Sequence, residues 1–146
     1  MAKFVFKMQN ILNLKLKVEN QQKIEYGLAN AKLKEEEDKL RQLMVRQAQY
    51  EERARELVNG RINIKDIKSC KQAIDAMKSA VRTQMIQVHV AQKNVDLARD
   101  RLNETMMERK TYEKLREHAF EDFKQELAYE ENREIDQLVS YNFHKE

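Results

Sequence analysis

The chain has 146 residues, with no Pro, no Trp and only two Gly, while 36% of its side chains are charged. Such a composition suits long helices and argues against a sandwich, a barrel or an α/β domain, all of which need turn residues at short intervals. The net charge of +3 is too small to name a nucleic-acid partner, and one cysteine cannot form an internal disulfide.

The charge is unevenly placed. From Glu113 onward ten acidic side chains face five basic ones, a net charge of −5, whereas the rest of the chain carries +8. Lys65, Lys68, Lys71 and Lys78 fall around a helical surface and are not interleaved with aromatics, so they read as a solvated flank and not as a groove for DNA or RNA. No apolar run approaches the about 20 residues needed to span a bilayer. The opening Met1-Ala-Lys-Phe-Val-Phe-Lys-Met lacks the apolar core and cleavage site of a secretory signal, so the chain is expected to remain where it is made.

In chain order, Phe4, Val5, Phe6 and Met8 form a short apolar cluster. The first helix, expected over about 4–58, carries two interleaved seven-residue sets. One is Leu12, Glu19, Tyr26, Leu33, Leu40, Gln47 and Ala54; the other is Met8, Lys15, Gln22, Ala29, Glu36, Leu43, Tyr50 and Leu57. Lys15, Glu19, Gln22 and Glu36 interrupt this seam with polar groups that cost stability and restrict register and partner choice. Gly27 sits mid-helix as a tolerated glycine that costs about 1 kcal/mol relative to Ala.

Asn59-Gly60 supplies the stop, with Gly60 expected in the left-handed conformation that ends helices. After it Asn63 can cap a new helix, with Asp66 at the third position and with Ile62 and Ile67 at the spacing of a hydrophobic staple. The turn therefore occupies 59–63, a length that joins antiparallel helices.

The second helix, expected over about 64–140, holds the stricter seam. Ile67, Ile74, Val81, Val88, Val95 and Leu102 recur at steps of seven, and Cys70, Met77, Gln84, Ala91, Ala98 and Thr105 follow each by three. Cys70 reads as a small core residue of a cytosolic chain. Folding the hairpin at the turn brings Tyr50 near Cys70, Leu33 near Val88, Tyr26 near Val95 and Met8 near Tyr112 to Lys114. The fold class is all-α, one elongated unit over 1–146 built as a long two-helix antiparallel coiled-coil hairpin, with a rod of about 80 Å. The start of the first helix then lies opposite about residue 118 of the second. Beyond it Phe120, Phe123, Leu127, Ile135 and Leu138 form a stripe flanked by Glu121, Asp122, Glu126, Glu130, Glu131 and Glu134, an amphipathic helix expected to have nothing of its own to pack on.

No catalytic constellation is visible. His89, His118 and His144 are too scattered to be a helical ligand pair, there is no glycine-rich phosphate loop, and a slender hairpin encloses no pocket that excludes water. The clusters Glu35-Glu36-Glu37-Asp38 and Glu130-Glu131 read as solvated faces, and Met44, Met77, Met85, Met106 and Met107 as seam and flank packing. A non-enzyme with neither metal nor cofactor is expected. The residues alone leave two readings: a protein whose working state is docked on a partner, or a structural coiled-coil adaptor that oligomerises through its uncovered stripe.

The opening Lys3-Phe-Val-Phe-Lys-Met-Gln-Asn-Ile-Leu-Asn-Leu-Lys, the short turn, and the closing Tyr112-Glu-Lys-Leu-Arg-Glu, Phe123-Lys-Gln-Glu and Glu130-Glu-Asn-Arg-Glu-Ile-Asp resemble the FliJ family of flagellar export proteins over essentially the whole length. The resemblance implies a soluble component of the flagellar type III export apparatus, an antiparallel coiled coil similar to the central stalk of rotary ATPases. Its expected partners are the hexameric export ATPase, the linker of the membrane export gate and export chaperones. Its expected place is the cytoplasm, peripheral to the inner face of the cell membrane and without insertion into it. By the same resemblance the ATPase-entering end comprises Phe4, Phe6, Met8, Ile11, Tyr112, Leu115, Phe120, Phe123 and Leu127, and the gate-contacting patch comprises Leu43, Gln47, Tyr50, Met77 and Ala80. Arg46 and Ala73 stand where some members carry aromatics.

Overall fold

The computed structural model describes the backbone of residues 2–145 and the side chains of residues 2–143. The side chain of His144 lies outside the described residues. Two helices account for nearly all of it, α1 over Gln9–Val58 and α2 over Ile64–Lys145, and among the described residues there is no strand. The fold is all-α, with the two helices packed antiparallel. It comprises two compact units, one over Gln22–Leu102 and one formed by Met1–Gln21 with Asn103–Glu146.

The unit over Gln22–Leu102 contains the turn. α1 ends with a tightened i→i−3 hydrogen bond, Asn59 N–H donating to the Glu56 carbonyl at 3.2 Å, and Gly60 has no positive φ. The left-handed cap expected at Gly60 is therefore absent: the shortened last turn already redirects the chain, so no αL residue is required. Asn63 does cap α2, its Oδ1 accepting from Lys65 N–H at 3.1 Å while its carbonyl accepts from Ile67 N–H. Asp66 adds a negative charge to the first turn, favourable at the positive end of the helix. Ile62 stays 67% exposed, so the expected staple to Ile67 contributes little.

Beyond the turn the seam closes as its period dictates. Every position of the two seven-residue sets on α2, from Ile67 to Thr105, is buried or half-buried, and so is every corresponding position on α1. Cys70 Sγ donates to the Tyr50 carbonyl at 3.3 Å, and Gln84 Nε2 donates to the Glu36 carbonyl at 2.9 Å. Between these two bridges each helix advances by two heptads, so the register is kept without slippage. Gly27 lies within unbroken helix, and a Cβ there would meet no atom within 4 Å.

In the unit formed by both chain ends, α1 starts at Gln9, later than the expected start near residue 4, and Gln9 N–H bonds the Phe6 carbonyl at 3.1 Å. The reason lies in the residue order. Lys3-Phe-Val-Phe-Lys alternates with period two, so an extended segment puts Phe4 and Phe6 on one side and Val5 on the other. Phe6 is buried, Phe4 half-buried and Val5 74% exposed. At its other limit α2 runs on to Lys145, past the about 140 expected.

Candidate functional site

The aromatic residues of the chain-end unit are brought together by the extended segment before α1. The Phe4 ring meets Phe120 edge-on, with centroids 5.1 Å apart and planes at 69°, and Phe123 at 5.6 Å and 53°. Both separations lie in the range where aromatic pairs attract. The Arg116 guanidinium sits 5.6 Å from the Phe4 centroid, and its Nε donates to Gln9 Oε1 at 3.0 Å; the Lys124 ammonium stands 4.9 Å from the Phe120 centroid. The stripe expected to find nothing of its own therefore meets the Phe4 ring at Phe120 and Phe123, which leaves Phe123 half-buried and Phe120 still 41% exposed. The covering ring comes from the segment before α1, where a search confined to helical periodicity does not look.

The remaining residues expected at this end are less concentrated. Met8, Tyr112 and Leu127 are half-buried, while Ile11 and Leu115 lie exposed at the surface. Further along α2 the apolar face continues without burial: Ile135, Leu138 and Val139 are 55 to 62% exposed. Glu126, Glu130, Glu131, Glu134 and Asp136 surround them.

Within the same unit the polar seam residues are answered across the helix pair. Lys15 Nζ donates to Glu108 Oε2, and this hydrogen bond raises the lysine above its ordinary value. Glu19, one of the most buried side chains of the protein, pairs with the Arg109 guanidinium, which also reaches Glu113 at 2.9 Å; hydrogen bonds to Glu113 and Glu19 hold the guanidinium charged. In the unit that contains the turn, Gln84 Nε2 donates to the buried Glu36 carboxylate while Lys32 and Lys39 approach at 3.1 and 3.6 Å. The Gln84 bond, followed by that of Lys32, holds the Glu36 carboxyl below the usual carboxylate range. Lys15, Glu19 and Glu36 thus each meet a charge or dipole that apolar residues could not answer, which ties the pairing to one register.

The residues expected at the gate-facing patch, Leu43, Gln47, Tyr50, Met77 and Ala80, are all half-buried. Tyr50 and Met77 share an open groove of about 320 Å³ with Arg46, Gln49 and Arg53. Leu43 lines the neighbouring groove with Gln42, Arg46 and Gln84, and Gln47 Nε2 is turned along its own helix to Glu51 at 3.0 Å. Ala80 lines neither. In the sequence Arg46 stood out only as a departure from the aromatics of some family members, and Arg53 was not singled out; their place beside Tyr50 and Met77 depends on the pairing of the two helices.

Among the described residues, no group of three or more His, Cys, Asp or Glu side chains is placed to hold a metal ion, and no helix is long and apolar enough to cross a membrane. The surfaces on offer are open grooves and helix faces, shapes that suit protein partners.

No curated protein and no solved structure matches the chain. A family model, described as flagellar FliJ protein, matches residues 4–146, from the Phe4 that covers the aromatic stripe to the end of the sequence. The chain therefore belongs to the FliJ family and is a flagellar export-related protein.

Proposed function

We propose that this protein is a non-enzymatic coupling element: its chain-end unit engages the hexameric flagellar export ATPase and promotes hydrolysis, while the unit containing the turn meets the linker of the membrane export gate and export chaperones. It works in the cytoplasm, peripheral to the membrane. The observation that carries this reading is the exposed stripe of Ile135, Leu138 and Val139 on an acidic helix. Solvated apolar side chains of that size are unfavourable, and each one covered by a partner gains on the order of 1 to 2 kcal/mol. A helix entering a ring is contacted from several sides, so acidic flanks and apolar stripe would both be used, and salt would weaken the contact.

Replacing Ile135 and Leu138 together by Asp tests the proposal directly. Co-sedimentation of the assembled ATPase ring with wild-type protein and loss of that association in the double variant, with helicity kept, is the expected result. Equal association of the variant would remove this stripe as the docking surface. Because Phe120 and Phe123 hold Phe4, substitutions there disturb the protein's own packing as well and are a poorer first test.

A further inference from the structure

In the unit over Gln22–Leu102, the residues just before the seam positions Leu33, Leu40, Gln47 and Ala54 of α1 are Lys32, Lys39, Arg46 and Arg53, four cations at steps of seven. In an antiparallel pair these positions flank the equivalent ones on α2, where carboxylates ordinarily answer cations across the seam. The residues found there, taken from Lys32 to Arg53, are Gln87, Ala80, Ala73 and Asp66. Only Asp66, beside Arg53 in the first turn of α2, carries a charge, and no ion pair joins the two. Lys32 and Lys39 turn to Glu35 and Glu36 on their own helix. Arg46 and Arg53 are exposed, and among the described residues neither forms an ion pair.

These two arginines line one groove, whose other walls are Gln49, Tyr50 and Met77. The adjoining grooves share Arg46 on one side and Arg53 on the other, and among the described residues Asp66 at the turn is the only carboxylate lining any of the three. Guanidinium groups bind carboxylates through two parallel hydrogen bonds, and the thioether and phenol ring beside them supply an adaptable apolar floor. Seven residues of helix separate the pair by about 10.5 Å. That spacing is met by carboxylates seven apart on one face of a helix.

We infer that this groove receives an acidic segment of a partner protein, in which two carboxylates about 10 Å apart bracket an apolar or aromatic side chain lying on Tyr50 and Met77. The inference rests on the reading of this unit as the surface that meets the export gate, and it adds the chemistry of what binds. A nucleic acid fits less well, because the groove offers its backbone two cations with an apolar floor between them.

Fluorescence anisotropy with three probes decides the matter: the isolated gate linker, a designed peptide with two Glu seven residues apart around a Trp, and an oligonucleotide of the same charge. The proteins are the full chain, its Arg46→Gln/Arg53→Gln variant, and Lys93→Gln as a cation outside the groove, with circular dichroism for helicity. The designed peptide should bind wild type and Lys93→Gln alike, weaken with salt, and bind the double variant at least about tenfold less well. The gate linker should follow the same pattern. Failure of the designed peptide to bind, or equal binding by the double variant, overturns the inference; if the linker still binds, the gate-facing reading survives without it. Arginine-dependent binding of the peptide together with no binding of the linker upholds the acidic partner and removes the gate as that partner. An oligonucleotide held as tightly as the peptide through the same arginines overturns the choice of a protein.

Discussion

Replacing Phe4 by Ala removes one ring that touches two others and a guanidinium, so its cost can be built from the contacts. The pairs with Phe120 and Phe123, at 5.1 and 5.6 Å, are each worth about 0.5 to 1.5 kcal/mol beyond burial. Arg116 adds about 0.5 kcal/mol from its exposed position over the ring, and re-exposing a half-buried Phe about 1 kcal/mol more. The substitution should cost about 3 kcal/mol in the docking of residues 2–8 onto α2, whereas Val5→Ala, at a position 74% exposed, should cost under about 0.5 kcal/mol. Because this segment can detach without unfolding the helices, global melting registers only part of the loss. Hydrogen exchange at the Leu12 amide, which bonds the Met8 carbonyl, reads the segment itself. Double-mutant cycles of Phe4→Ala with Phe120→Ala and with Phe123→Ala should each give a coupling near 1 kcal/mol in that exchange free energy. Couplings below about 0.3 kcal/mol in both cycles would show that the rings do not pack in solution, and the cover over the stripe would have to be abandoned.

Other expectations follow from single positions. Tyr50→Cys should form an intramolecular disulfide with Cys70, whose Sγ lies 3.3 Å from the Tyr50 carbonyl, seen as a mobility shift of the monomer on non-reducing gels; only intermolecular products would contradict the antiparallel register. Gly27→Ala should raise stability by about 1 kcal/mol in urea unfolding, since the added methyl meets no atom within 4 Å, while Gly60→Ala should stay within about 0.5 kcal/mol because no left-handed φ is lost. Glu36 titrates below the ordinary value of 4.5 in the folded protein, so its ionised form is favoured by folding. Its contribution is complete above the unfolded pKa and disappears as pH falls through the lower folded one. The stability gap between wild type and Glu36→Gln should thus be constant near neutrality and close below about pH 4, and a gap that widens on acidification would contradict the bond to Gln84.

The seam was legible in the sequence because burial in a helical pair obeys the same period as the residues. The seven-residue sets from Ile67 to Thr105 and from Met8 to Leu57 are the inward faces, even where Glu19 and Glu36 stand in them. Helix lengths leave little freedom once Asn59 and Asn63 mark the stop and restart. What the period cannot express is the chemistry across the pair. Glu36 finds Gln84 within its own layer, whereas Glu19 finds Arg109 through long side chains that reach past theirs. Phe4 was legible as an aromatic at the chain start but not as a cover, since its place depends on the extended Lys3-Phe-Val-Phe-Lys segment folding back on α2. Gly60 illustrates the opposite error: a strong local signal for a left-handed cap gave way to an i→i−3 turn that ends the helix without one.

The central claim, coupling to the export ATPase through the far part of α2, is tested most directly by ATP hydrolysis of the purified hexameric ring against increasing concentrations of this protein. Wild type should stimulate hydrolysis to saturation and less effectively at high salt, and the folded Ile135→Asp/Leu138→Asp variant should give little or no stimulation over the same range. Equal stimulation by both proteins, or none by wild type, would contradict the account.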